Sequence, residues 1–412
     1  MISPVESWVA RRTGLLGDLT PGSLARWQLN RLGEAVAHAR RHSRFYRGLP
    51  GPEPAVWSLD DLGRLPFTWP ADLARDPQAF LAVPPSEVAR VTTLTSSGST
   101  GPKKRIFFTA DDLERTVEFF ADGMTTLVGP GQDTLILMSD ATEHSIARLL
   151  RSALGRIGVA GRIAEPGWSV AEIFAAARSA SCIVGLPAEI LYLCRAYPGL
   201  RPHSVLLSSD YAPRSVIAAV ERAWGCVVLT HYGLTEAGFG WAVQCSARDG
   251  HHLRDLDLLL EIVDPGTGAR LAHGQPGEIV LTTLRNQAMP LLRYRTGDLG
   301  RILDGPCGCG GILPRLGRVE GRLEGRLPLG NGATLSIHQL DEIVFALPGV
   351  RGFEAGVRNT PSGCCLRLDV AGAGPLDPED LAARLPPGLA FELRHAEINP
   401  FAHRSKRRFR QD

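Results

Sequence analysis

The chain has 412 residues, and 45 basic against 43 acidic side chains give a formal net charge of +2. That length exceeds one hydrophobic core and implies two domains, or one large and one small; the balanced charge gives no electrostatic case for nucleic acid or an anionic membrane as partner. No apolar run nears the roughly 20 residues that span a bilayer, and Met1–Trp8 lacks the basic and apolar regions of a signal peptide, so a cytoplasmic, reducing location is expected, with the eight cysteines as thiols or metal ligands.

In chain order, residues 22–47 read as an amphipathic helix. Leu24, Trp27, Leu32, Ala35, Val36 and Ala39 fall near helical spacing. The arginines between them read as a solvated face. A Pro/Gly-rich connection spans 49–54, and 111–127 reads as a second helix capped by Thr109 or Asp111. Short apolar runs at 134–138, 182–185, 204–207 and 226–229 read as buried strands. Helical patterns at 145–155, 170–179, 188–196 and 213–224 alternate with them. Such alternation predicts an α/β fold: a mainly parallel sheet covered by helices, with functional loops at strand C-terminal ends. From about Leu253 the texture changes. Strands are expected at 258–263, 278–283 and 299–303, with Asp264-Pro265-Gly266-Thr267-Gly268 as a turn. This is a β-rich subdomain. A boundary is expected between Arg318 and Gly325. Beyond it, helices at 340–347 and 379–385 and strands at 350–357, 365–370 and 391–398 make a small α+β unit.

One run carries chemistry on its face: Thr95-Ser96-Ser97-Gly98-Ser99-Thr100-Gly101-Pro102-Lys103-Lys104. Small residues let backbone N–H groups approach an anion, and hydroxyls and lysines add donors and charge. The run reads as a grip for a polyphosphate, although it lacks the G-x-x-x-x-G-K-[ST] spacing of a P-loop. The alternative is a Ser/Gly linker. A second constellation is Cys307-Gly308-Cys309, with Cys245 and His252 upstream. Three thiolates and an imidazole suit a tetrahedral zinc site. His251 can substitute for His252, and the alternative is a set of reduced buried cysteines beside a Gly-rich turn. Cys182, Cys194, Cys226, Cys364 and Cys365 read as ordinary thiols.

Three further segments follow the phosphate run in order: His231-Tyr232-Gly233-Leu234-Thr235-Glu236, Tyr294-Arg295-Thr296-Gly297-Asp298, and Ser405-Lys406-Arg407-Arg408. Their order and spacing resemble the AMP-forming adenylating enzymes: acyl- and aryl-CoA ligases, luciferases and peptide-synthetase adenylation domains. Glu143-His144-Ser145 and Met289-Pro290-Leu291-Leu292-Arg293-Tyr294-Arg295 are similar to the phenylacetate-CoA ligase branch. The resemblance implies a large N-terminal adenylating domain at 1–317 and a small mobile C-terminal domain at 318–412. It implies ATP, Mg²⁺ and CoA as cofactors, a small carboxylic acid as substrate, and an acyl-adenylate intermediate. Acceptors other than CoA (an amine, a carrier-protein thiol, a cofactor hydroxyl) stay open, as does a nucleotide-binding regulator without turnover. Aryl or arylacetyl acids are favoured by resemblance alone. Oligomeric state is open, with a homodimer as one option.

The resemblance also assigns roles. Thr100 and Lys103 contact phosphates directly, while Ser96, Ser97, Gly98, Ser99 and Gly101 shape the loop. Glu236 is the magnesium carboxylate, a hard oxygen ligand for a hard cation. Thr235 contacts the α-phosphate, and Tyr232, followed by Gly233, stacks on adenine. Asp298 accepts the ribose hydroxyls, and Arg322 contacts ribose or phosphate near the hinge. Ser208, Ser209 and Asp210 match the adenine-side loop, where the branch usually has Gly-Ala-Glu. After Arg322 the family usually continues x-Asp-Asp; this chain has Leu323-Glu324-Gly325, which places Glu324 at the hinge. Lys406 is the catalytic lysine that bridges carboxylate and α-phosphate. Read alone, residues 403–410 are a basic tail able to touch nucleic acid or CoA phosphates. His144 lines or gates the acyl pocket, or is structural. The branch often carries similarly placed zinc ligands.

Overall fold

The computed structural model describes residues 3–49, 58–94, 103–165, 167–329, 333–360, 363–401 and 407–411. They fall into two compact units, Met1–Thr126 with His231–Glu320, and Leu127–Thr230 with Gly321–Asp412. Each combines distant stretches of chain.

The first unit is built on helices and antiparallel sheet. Helix Pro21–His42 starts at Thr20, whose hydroxyl and Ser23 form a reciprocal capping box. The expected single helix at 22–47 breaks at Ser43. That hydroxyl donates to Ala79 O at 2.9 Å, and Ser43 then caps the short helix Arg44–Arg47. Helix Ala110–Met124 is capped by Thr109, one of the two expected caps, and ends three residues short of the expected 127. Helix Pro4–Thr13, absent from the sequence reading, buries Val5, Trp8 and Val9 against Leu24, Phe119, Leu256 and Leu313. Trp8 meets Phe119 edge-on at 5.6 Å.

Strands Leu258–Val263, Gly277–Thr283 and Tyr294–Gly300 form an antiparallel sheet. The third strand was expected at 299–303. It starts five residues earlier, because the Thr296-Gly297-Asp298 step is a bulge inside the strand and not a turn that ends one. Gly297 takes φ +74°, and the register shifts between Glu278 and Val280.

The second unit holds a parallel sheet in the order Ala160–Ile163, Asp133–Leu137, Cys182–Gly185, Ser204–Leu207, then the start of Val227–Tyr232. Helices Ile146–Arg156, Val170–Ala177, Pro187–Ala196 and Arg214–Trp224 connect the strands. Near-continuous apolar strands such as Cys182–Gly185, buried throughout, are what a sheet covered on both faces requires. In the same unit, hairpin Val350–Thr360 and Gly363–Gly372 pairs with Ala390–His395 and Arg410–Gln411, beside helices Ile337–Val344 and Pro378–Ala382. One apolar core runs from Leu135 and Leu193 through Phe345, Phe353 and Phe401. The α/β class with an α+β C-terminal part is therefore what the chain adopts.

Asp255 is buried in the first unit, and burial raises its carboxyl from 3.8 to about 7. The folded chain therefore holds this proton more tightly than the unfolded chain. The contribution favours folding below pH 3.8 and is lost as pH rises through about 7. Asp255→Asn removes that loss. Its melting temperature should exceed the wild type's by a margin that widens by several degrees between pH 5 and pH 8, read by scanning calorimetry; a margin independent of pH would contradict the assignment.

Candidate active site

The segment Thr95–Pro102, with Ser96, Ser97, Gly98, Ser99, Thr100 and Gly101, lies outside the described residues. Strands Arg90–Leu94 and Lys104–Phe108 flank it and pair antiparallel, Leu94 opposite Lys104. The Ser/Gly/Thr run therefore lies between two strands that its sequence did not predict. Successive side chains on a strand face opposite ways. Lys103 is exposed, and Lys104 points inward. Lys104 Nζ donates to Glu236 Oε1 at 2.6 Å and to the Tyr294 hydroxyl at 3.3 Å. Tyr294 donates to the same carboxylate oxygen at 3.0 Å. Burial would raise the Glu236 carboxyl. The Lys104 ammonium and the bonds from Lys104 and Tyr294 outweigh it and hold the group below the usual carboxylate range. Glu236 is therefore a buried, ionised carboxylate at neutral pH. Its charge is compensated by the Lys104 ammonium, on the strand that follows the Ser/Gly/Thr run.

Strand Val227–Tyr232 delivers the Tyr-Gly-Leu-Thr-Glu segment. Gly233 is required there: a Cβ would collide with the carbonyl of Phe239 as the chain doubles back. Half-buried Thr235 opens the single turn Thr235–Ala237, which ends at Gly238 with φ +90°. This turn carries Glu236 inward. Phe239 stacks on Phe108 at 5.3 Å, and the Arg90 guanidinium lies 4.6 Å over its ring. The Tyr232 hydroxyl donates to Asp298 Oδ2 at 2.6 Å, and the Asp298 amide donates to Thr296 Oγ1 at 3.0 Å. Tyr232 also meets Trp241 edge-on at 5.5 Å. Two adjacent motifs far apart in sequence thus meet through a tyrosine–aspartate bond, and the bulge at Gly297 aims that aspartate.

In the second unit, strand Ser204–Leu207 ends in Ser208, Ser209 and Asp210. Ser209 is left-handed at φ +68°, an uncommon conformation for a residue with a Cβ. Asp210 Oδ2 accepts the backbone N–H of Arg407 at 2.8 Å. Lys406 lies outside the described residues; Arg407, one peptide bond on, is firmly held. Arg322 is exposed in the short strand Gly321–Arg322. His144 is half-buried in a turn, next to Ser145, which caps helix Ile146–Arg156.

Cys245, His252, Cys307 and Cys309 converge, all buried, with ligand atoms within 4.8 Å of one another. Cys245 Sγ lies 3.6 Å from Cys307 Sγ, and Cys309 Sγ lies 3.4 Å from His252 Nε2. Tetrahedral zinc with bonds of about 2.3 Å to sulfur has edges of about 3.8 Å, so the four side chains stand near ligation spacing. His251 and His252 share a strand and face opposite ways, and His252 is the one in the cluster. The Gly311 amide donates to Cys309 Sγ at 3.4 Å, and the Ile312 amide donates to Glu6 Oε2 at 2.6 Å. The N-terminal helix therefore fastens the Cys307–Cys309 knuckle.

Among solved structures, a 2-hydroxyisobutyryl-CoA ligase in its postadenylation state with 2-HIB-AMP superposes with a TM-score of 0.81 at 19% identity, over 96% of this chain and 90% of that one. ATP-bound MatB from Rhodopseudomonas palustris gives 0.52 at 17% identity, over 76% and 65%. No protein-family model matches the chain. A phenylacetate–coenzyme A ligase from Thermus thermophilus is 31% identical over 350 residues, 78% of this chain and 75% of the relative. One from Escherichia coli is 28% identical over 338 residues, 76% and 74%. The chain belongs to the phenylacetate–coenzyme A ligase family.

Proposed function

We propose that this chain joins a small carboxylic acid to the thiol of coenzyme A through an acyl-adenylate, with pyrophosphate and AMP released. The observation that carries the reading is the convergence of Lys104, Glu236 and Tyr294 at the foot of the Ser/Gly/Thr run, beside the Tyr232–Asp298 pair. Attack of a carboxylate on the α-phosphorus joins two anions. Catalysis then rests on charge neutralisation and positioning and needs no general base. Lys104 can exchange Glu236 for a phosphate oxygen, which leaves the carboxylate for a hard cation. Magnesium, when bound, neutralises phosphate charge; Glu236 is the residue that would hold it. Asp298 holds the ribose hydroxyls, with Tyr232 fixing its orientation. The Ser208–Asp210 loop borders adenine, and Lys406 bridges the reacting groups. His144 remains the candidate for the acyl pocket. The relatives are named for phenylacetate, so arylacetic acids come first among substrates. Acid-dependent exchange of labelled pyrophosphate into ATP tests the first half-reaction. Its absence with every acid would leave a nucleotide-binding regulator.

We place the functional domain boundary at residue 318, with 318–412 as the part that moves between half-reactions in a cytoplasmic enzyme. Among the described residues, no helix is long and apolar enough to cross a membrane.

One structural zinc per chain completes the proposal, bound by Cys245, His252, Cys307 and Cys309. Thiolate-rich donors select zinc over magnesium, and four protein ligands leave no open position for catalysis. Cys307→Ser should lower the melting temperature by several degrees and abolish stoichiometric zinc, with activity falling only as the fold is lost. Metal analysis of the purified protein checks this; no zinc in the wild type, with Cys307→Ser equally stable, would defeat it.

A further inference from the structure

Helix Arg214–Trp224 begins without a cap of its own. Pro213 stands at the N-cap position and offers no side-chain acceptor to the first helical amides. The acceptor comes from elsewhere in the same unit. Glu342, on helix Ile337–Val344, accepts the Arg214 amide at 3.0 Å through Oε1 and the Ser215 amide at 3.4 Å through Oε2. The same Oε1 accepts the Tyr211 hydroxyl at 2.8 Å. A carboxylate at a helix N-terminus satisfies orphan donors and meets the positive end of the dipole. Beside it, the Tyr211 ring stacks on His338 at 4.5 Å.

A second bond crosses the same seam in the other direction, from the Arg407 amide to Asp210 Oδ2 at 2.8 Å. The remaining bonds of Arg407 stay on its own side. Its Nε donates to Asp341 at 2.7 Å, one terminal nitrogen donates to Phe353 O at 2.8 Å, and its guanidinium lies 4.0 Å over the Phe353 ring. Arg407 thus travels with 321–412 as one body. The directional contacts between that body and residues 210–215 are partly exposed polar ones between carboxylates, amides and one hydroxyl. The apolar core shared by 127–230 and 321–412 supplies most of the adhesion along the seam and is not directional, and the Arg195 guanidinium adds a bond to Phe345 O at 2.8 Å. The polar set fixes the register, and water can replace each of its partners once the seam opens.

We infer that Glu342 is a positioning residue, the releasable latch that holds the 321–412 part against the 208–215 loop for the adenylation half-reaction. The inference rests on the proposed function, because Lys406 directly precedes the latched Arg407 and the 208–210 loop is the adenine side by resemblance. With Glu342 engaged, Arg407 is held against Asp210 of that loop. With Glu342 released, helix 214–224 loses its cap, the Asp210–Arg407 bond opens with it, and the part is available for the thiol step.

The test uses full-length Glu342→Gln, which keeps shape but loses charge and one acceptor, and Tyr211→Phe, which removes only the hydroxyl. Adenylate formation is followed by pyrophosphate release, and thioester formation is started from pre-made acyl-adenylate. Glu342→Gln should slow adenylation about tenfold by lowering the latched population, with the thiol step within about twofold of wild type. Tyr211→Phe should follow in the same direction, about threefold. An equal fall in both steps, or no change in either, would overturn the latch. Hydrogen exchange reads the seam without catalysis: the Arg407 amide, which Glu342 does not touch, should exchange faster in Glu342→Gln. An unchanged rate overturns the latch. A wild type that forms no adenylate at all refutes the functional reading instead, and the exchange comparison still decides the latch.

Discussion

Lys406→Ala is expected to lower adenylate formation by about 10²–10³-fold, the usual cost of removing one preorganised donor from a developing charge. ATP affinity should stay within about threefold, because a group that acts in the transition state contributes little to ground-state binding. The physical basis is the charge problem: a carboxylate and a triphosphate repel, and a compact ammonium on a flexible stem suits a group brought in by domain movement. Arg407, the next residue in the chain, has its guanidinium tied to Asp341, Phe353 O and the Phe353 ring. Single-turnover pyrophosphate release and calorimetric ATP titration measure the two quantities. Adenylation at the wild-type rate would show that the tail is only a basic surface.

Glu236→Gln is expected to have a comparable effect for a different reason. The amide keeps hydrogen-bonding capacity toward Lys104 and Tyr294 but supplies no charge to a hard cation. Activity should fall at least about 10²-fold and stop responding to magnesium. The variant also leaves the Lys104 ammonium, 16% exposed, without its counter-charge, so stability should fall too. Lys104→Gln in the same chain should restore stability and not activity. The pH dependence has a definite sign. Because the Glu236 carboxyl is held low in the folded chain, its stabilising contribution is present above the ordinary carboxylate range and is lost as pH falls through the folded value. Full activity of Glu236→Gln at ordinary magnesium concentration would rule out the metal role.

The motifs were legible because each needs particular residue types. Gly233 is forced by the return of the chain at Phe239, Gly297 by the bulge that aims Asp298, and the Cys245, His252, Cys307 and Cys309 cluster was read from its thiol and imidazole chemistry. Tyr294 stood inside a recognised motif, yet its bond to Glu236 needs three-dimensional proximity. Lys103 was assigned the direct contact, and the structure puts Lys104 on Glu236. Lys103 is exposed just before the strand that Lys104 opens, and composition does not say which lysine faces in. The Arg90–Leu94 strand was missed because Arg-Val-Thr-Thr-Leu lacks clear apolar alternation, and Ala160–Ile163 because Ala-Gly-Arg-Ile is a weak strand former. The grouping of 127–230 with 321–412 follows from tertiary packing around Phe345 and Phe353, which no local pattern reports.

This member of the family is expected to couple AMP formation to a CoA thioester. The most direct measurement is a panel of carboxylic acids, arylacetic acids first, incubated with ATP and magnesium, with AMP and thioester quantified with and without CoA. One acid class should give AMP and its CoA thioester in equal amounts, with AMP release slow when CoA is omitted. Rapid acid-dependent AMP release with no thioester in the presence of CoA would contradict it and point to a different acceptor.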